Sequence, residues 1–170
     1  KLVGNNIKVG DAVTVLPSLT ESKVTNIHFF DQQFDEATAG SSITIELEND
    51  INVTRGDMIV KSSELPKIKK DITTTVRWIK KKKLVAGAKY FVQHNSNRVL
   101  AKIDSVKNVI ATDYSGTTPA TQLAINEIGE VTIKLSKAIY FDAYTENKSN
   151  GAFILIDAAT NTTAGVGFIK

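Results

Sequence analysis

A chain of 170 residues can hold one large domain or two small ones, and either can enclose a hydrophobic core. Its 42% hydrophobic and 23% charged residues match a folded globular protein and exclude a disordered polyelectrolyte. The absence of cysteine excludes disulfide frameworks, thiol nucleophiles and cysteine-ligated zinc.

No apolar run approaches the ~20 residues that span a bilayer, and no signal-peptide pattern opens the chain, so a cytoplasmic protein is expected. The net charge of +3 is unevenly spread. Residues 1–54 carry three basic and eight acidic groups, residues 55–90 eleven and three, and the remainder seven of each. The mid-chain block could attract phosphate or an acidic partner surface through fields that salt screens over about 10 Å.

In chain order, period-2 alternation predicts half-buried strands at Ile7 to Val9, Ala12 to Leu16, Lys23 to Phe30 and Ser42 to Leu47. Further strands are expected over Asn52 to Lys61, Thr73 to Ile79, Lys89 to Gln93 and Arg98 to Val109. Gln122 to Glu127, Glu130 to Leu135, Ala152 to Asp157 and Val166 to Ile169 complete the set. Turn residues such as Gly10-Asp11, Gly40-Ser41, Asn95-Ser96-Asn97 and Ser115-Gly116 separate them at short intervals. The best helix candidate, Asp31 to Ala39, has room for one or two turns. The fold class expected is all-β, sandwich or barrel. A boundary is expected across Lys61 to Lys67, where Pro66 disfavours a central strand, giving domains 1–65 and 66–170.

The order of turns resembles a known family. Val9-Gly10-Asp11-Ala12-Val13-Thr14-Val15-Leu16-Pro17, Phe34 to Gly40, and Ile51 to Val60 around Arg55-Gly56-Asp57 are similar to the second domain of elongation factor Tu-type GTPases. Leu123 to Val131, Phe141 to Asn147 and the closing Gly151-Ala152-Phe153-Ile154-Leu155-Ile156-Asp157 with Asn161 to Gly167 resemble the third. The Val15 to Ser18 turn, Val76-Arg77-Trp78 and the Phe153 to Asp157 wording favour the GTPase (regulatory) subunits of ATP sulfurylase within that family.

The resemblance implies two consecutive small β-barrels, the first (1–65) without its opening strand and the second (66–170) of the domain-3 type. It implies a parent nucleotidyltransferase complex, sulfate adenylyltransferase, driven by GTP hydrolysis in sulfate assimilation. GTP and magnesium would belong to a G domain outside this chain. No Gly-x-x-x-x-Gly-Lys-Ser/Thr phosphate loop occurs, and Asn147-Lys148-Ser149-Asn150 is no guanine-reading element, since position 150 is Asn. No catalytic, cofactor or metal residue is therefore expected here. The partners implied are the G domain and the catalytic ATP sulfurylase subunit, with no membrane. The alternative is a translation-factor barrel pair that holds charged tRNA.

Several residues invite sharper readings. Arg55-Gly56-Asp57 is read as a turn, not an adhesion motif. His28 and His94 lack metal-ligand spacing, and no Gly-x-Ser-x-Gly elbow supplies a nucleophile. Asp31, Asp35 and Glu36 form the densest carboxylate group and are read as a solvated loop. The run Lys80 to Lys83, with Lys67, Lys69 and Lys70 before it, is read first as a solvated loop, then as a face for an acidic protein, last as a nucleic-acid footprint. Trp78, alternating with Val76, is assigned to the core. The sequons at Asn52, Asn147 and Asn161 are read as chance triplets. The stretch Lys107 to Thr121 looks like an insert.

Overall fold

The computed structural model describes residues 1–113 and 115–170, which form two compact units, Lys1–Leu65 and Pro66–Lys170. Among the described residues there is no helix; every regular element is a strand.

The first unit contains β1 (Ile7–Lys8), β2 (Ala12–Leu16), β3 (Thr20–Phe29), β4 (Gln32–Phe34), β5 (Glu36–Ala37), β6 (Thr44–Leu47) and β7 (Met58–Lys61). The long strand β3 organises it. Its first half pairs with β2, which in turn pairs with β7, and its second half lies between β4 and β6; β1 and β5 form a separate two-stranded ribbon. The resulting half-barrel has a small core of Ile7, Val13, Val24, Ile27 and Ala37.

Asp31 to Ala39 is not helical. The register Phe29↔Gln32 leaves Phe30 and Asp31 as a two-residue turn, so the chain reverses at once and Gln32–Phe34 pairs back on β3. Phe30 takes the left-handed conformation this reversal needs, at φ 53°. The strand expected over Asn52 to Lys61 is confined to Met58–Lys61, because Thr54 to Asp57 is a turn.

The second unit contains β8 (Lys67–Trp78), β9 (Leu84–Val85), β10 (Lys89–His94), β11 (Asn97–Ile110), β12 (Thr117–Pro119), β13 (Gln122–Leu123), β14 (Ile128–Phe141), β15 (Ala152–Ile156) and β16 (Thr163–Ile169). Six of these close into a barrel in the order β10-β15-β16-β8-β14-β11, with β11 returning to β10, so the ring has no free edge. Alternation fills it. Ile72, Val76 and Trp78 of β8 face Ile133, Phe141 and Leu155 from other strands in one contiguous core. Thr74 is also buried, and its hydroxyl donates to the Val131 carbonyl at 3.1 Å, which removes the cost of an unpaired polar group.

Strands β8 and β14 run far beyond the lengths expected. The first five residues of β8, Lys67 to Asp71, are all exposed, so no alternation marks them, yet they pair with the end of β14 past a bulge between Lys134 and Ile139. The insert at Lys107 to Thr121 is in part a hairpin, with β12 laid on the end of β11; residue 114 lies outside the described residues. Gln122 to Glu127 pairs only through its first two residues before Asn126 turns the chain at φ 67°.

Candidate functional site

The residues that sequence singled out do not converge. His28 lies on the outer face of β3, where its Nε2 meets Glu46 Oε1 at 3.1 Å. Glu46 also accepts from Asn26 Nδ2 at 2.6 Å, and Asn26 Oδ1 accepts from Gln33 at 2.5 Å. The Asn26 hydrogen bond, helped by His28, holds the Glu46 carboxyl below its ordinary range despite slight desolvation. This is a satisfied surface network.

His94 is buried at the end of β10, and its Nε2–H donates to the Asn150 carbonyl at 2.8 Å. Burial lowers its pKa, outweighing the Asn150 hydrogen bond and the field of Asp142, so the ring is neutral. Around it Asn95 donates to Asn150 Oδ1 at 2.8 Å, while Asn147 and Asn150 both donate to Asp142 Oδ2 at 3.0 Å. Asn147 to Asn150 is thus a structural turn. Gly151 completes it, since a Cβ there would lie 2.4 Å from the Tyr144 backbone.

Asp31, Asp35 and Glu36 are all exposed. Glu36 bridges to Lys8 at 3.4 Å and accepts from Asn6 at 3.0 Å. In Arg55-Gly56-Asp57, the Asp57 carboxylate accepts from the Thr54 backbone N–H at 2.8 Å and the Thr54 hydroxyl at 3.1 Å, and Gly56 takes φ 108°. With the Asp57 N–H donating to the Thr54 carbonyl at 3.0 Å, this is a four-residue turn tied from both its ends.

The lysine run is pinned at both ends. The Trp78 indole N–H, with its ring in the core, donates to the Lys82 carbonyl at 2.7 Å. Lys80 Nζ binds Asp157 Oδ2 at 2.6 Å and the Thr160 hydroxyl at 3.0 Å, and with backbone donors from Ala159 and Thr160 it brings the Asp157 pKa down to about 2. Lys81, Lys82 and Lys83 point to solvent.

Among the described residues no group of three His, Cys, Asp or Glu could hold a metal ion. What the structure offers instead is surface. On the β3–β4 hairpin, Phe29 and Phe34 share the face of the buried Ile27 but are 42% and 41% exposed, and Phe30 at the tip is 85% exposed and packs edge-on to Phe29 at 4.7 Å. The opposite face carries the polar network of Asn26, His28, Gln33 and Glu46. A second surface lies on the outside of the barrel, where Lys89, Lys102 and Lys134 stand opposite one another across three adjacent strands. Neither was visible in the sequence. The Phe29, Phe30, Phe34 spacing could have flagged the first; the second depends on register alone.

A closed antiparallel barrel preceded by a half-barrel defines an all-β protein of two units. Residues 71–170 match the family described as GTP-eEF1A C-terminal domain-like, and the chain belongs to that family. Across both units it is similar to sulfate adenylyltransferase subunit 1 of Psychromonas ingrahamii, 35% identical over 169 residues, which is 99% of this chain and 36% of that protein. It is 37% identical over 163 residues to the bifunctional enzyme CysN/CysC of Rhodopirellula baltica, covering 96% of this chain and 25% of that one. The chain spans about a third or less of the length of these relatives. Its fold is that of a solved structure of sup35 complexed with GDP, with a TM-score of 0.82 over 96% of this chain and 41% of the other, at 14% identity.

Proposed function

We propose that these two β units are the barrel part of the GTP-hydrolysing subunit of a sulfate adenylyltransferase, and that they couple a G domain to the catalytic ATP sulfurylase subunit. One observation carries the reading. The similarity to sulfate adenylyltransferase subunit 1 runs through 99% of the chain, including Lys1–Leu65, which lies outside the matched family segment.

The chemistry of the residues agrees with a role in contact and not in turnover. Both histidines, Glu36 and Lys80 are held by structural partners, and no hydroxyl is aligned on a histidine base among the hydrogen bonds of the described residues. GTP and magnesium do not fit these residues, because no phosphate loop is present in the sequence and, among the described residues, no acidic cluster could hold the ion. No step of nucleotide chemistry is therefore derived for them. Coupling needs only that the barrel surfaces make different contacts in two states of a larger assembly, which shifts the equilibrium between them. Such a complex would work in the cytoplasm.

The test is co-sedimentation of the chain with the catalytic subunit of sulfate adenylyltransferase across a salt series, with an aminoacyl-tRNA gel shift alongside. Retention of the catalytic subunit with no tRNA shift is the expected result. A salt-dependent tRNA shift with no retention would overturn the reading in favour of a translation-factor barrel pair.

A further inference from the structure

The outer face of the second unit carries a charge arrangement that folding does not require. Lys89 of β10 stands directly opposite Lys102 of β11, and Lys102 directly opposite Lys134 of β14. Residues so paired have Cβ atoms about 4.5–5.5 Å apart, and like charges in that relation destabilise a sheet. All three are exposed, while their strand neighbours Tyr90, Ala101, Ile103, Ile133 and Leu135 are buried in the barrel.

Compensation is partial and one-sided. Lys134 binds Asp104 at 2.8 Å and faces Asp71 of β8 across the next strand pair. Lys89 and Lys102 have no acidic side chain within ion-pair distance among the described residues. The three lysines, with Leu100 and Ser136, line a shallow open depression of about 220 Å³. Leu100 is 42% exposed. The face therefore combines cations in a row, an apolar side chain and a hydroxyl.

We propose that this row is a docking face for an acidic amphipathic helix of a protein partner. The row runs across the strands in steps of about 5 Å, and a helix sets its i, i+4 and i+7 side chains along one face in steps of about 5–6 Å. Glutamates at those positions match the three lysines one for one, and an apolar residue beside them covers Leu100. A nucleic acid fits less well. The aromatic ring opposite Leu100 is Phe91, and the Arg98 guanidinium lies over it at 4.4 Å, tied by a 2.6 Å hydrogen bond to Asn161 Oδ1, so that face is closed to a stacking base. The inference rests on the barrel's register and not on the sulfate adenylyltransferase reading.

The test is amide chemical-shift mapping of the whole chain against a synthetic helical peptide of about 15 residues with three Glu at i, i+4 and i+7 and one flanking Leu. Controls are the same peptide with Gln for Glu, and single-stranded poly(U). Expected are shifts centred on Lys89, Leu100, Lys102 and Lys134 and an affinity that falls at least about tenfold as salt screens the pairs. Lys102→Glu should remove binding while the thermal midpoint stays the same or rises, since the repulsion at the centre of the row is relieved. Lys89→Gln, a milder change, should weaken binding and leave the fold intact. Equal binding of the Gln peptide, shifts elsewhere or none, or poly(U) taking the same residues in preference would each overturn the proposal.

Discussion

Residue by residue, the polar atoms of the barrel interior are committed to structure, and His94 shows what that implies for solution behaviour. Its ring is neutral in the folded state because burial outweighs the Asn150 hydrogen bond and the Asp142 field. The unfolded chain takes up a proton near the ordinary histidine value of 6.5, the folded chain only at lower pH. Stability is thus fully present above about 6.5 and is lost as pH falls toward the lowered value, because the unfolded state then binds more protons. Thermal melts of the chain should show the midpoint falling between pH 7.5 and 5.5. His94→Gln, which keeps an N–H donor but cannot titrate, should lower the midpoint at neutral pH and flatten that dependence. An unchanged slope in the variant would contradict the assignment.

At the scale of elements, the lysine loop is held by the Trp78 indole and by the Lys80 contacts to Asp157 and Thr160. Trp78→Phe keeps an aromatic ring in the core, deletes the indole donor to the Lys82 carbonyl and leaves a cavity, so the cost exceeds the about 1 kcal/mol of the hydrogen bond alone. Limited trypsin digestion should cut faster within Lys80 to Lys83, while Lys102, inside a barrel strand, stays protected as in the parent chain. The β3–β4 hairpin tip makes the opposite prediction. Phe30 occupies the left-handed region at 85% exposure, where Asn is at less cost. Phe30→Asn should leave stability unchanged or raise it by up to about 1 kcal/mol, read from urea unfolding; a marked loss would mean that the Phe29 contact matters more than the turn.

The same elements mark where sequence reasoning worked. Thr44–Leu47 and Glu130 to Leu135 were legible because each alternates against a core, and period 2 is the direct trace of a one-sided strand. Lys67 to Asp71 was not, since a stretch with no buried residue carries no period. The hairpin tip was misread as a helix candidate because its turn, Phe30-Asp31, lacks the Gly or Asn that usually announces such reversals. Arg55-Gly56-Asp57 and Trp78 were readable from local chemistry. The lysine row was out of reach: positions 89, 102 and 134 become neighbours only through two strand registers that no local signal fixes.

For the whole molecule, the acidic first 54 residues, the basic middle and the neutral remainder give two compact units with different surface character, and residues 71–170 belong to the GTP-eEF1A C-terminal domain-like family; the proposal is that they serve a GTP-hydrolysing subunit. The measurement that tests this most directly is a chimera. The segment of Psychromonas ingrahamii sulfate adenylyltransferase subunit 1 that aligns with this chain is replaced by these 170 residues, and adenylyl sulfate formation by its catalytic subunit is followed with and without GTP. The account predicts that the chimera still associates with the catalytic subunit and that GTP still stimulates turnover. A folded chimera that hydrolyses GTP but neither binds nor stimulates the catalytic subunit would contradict it.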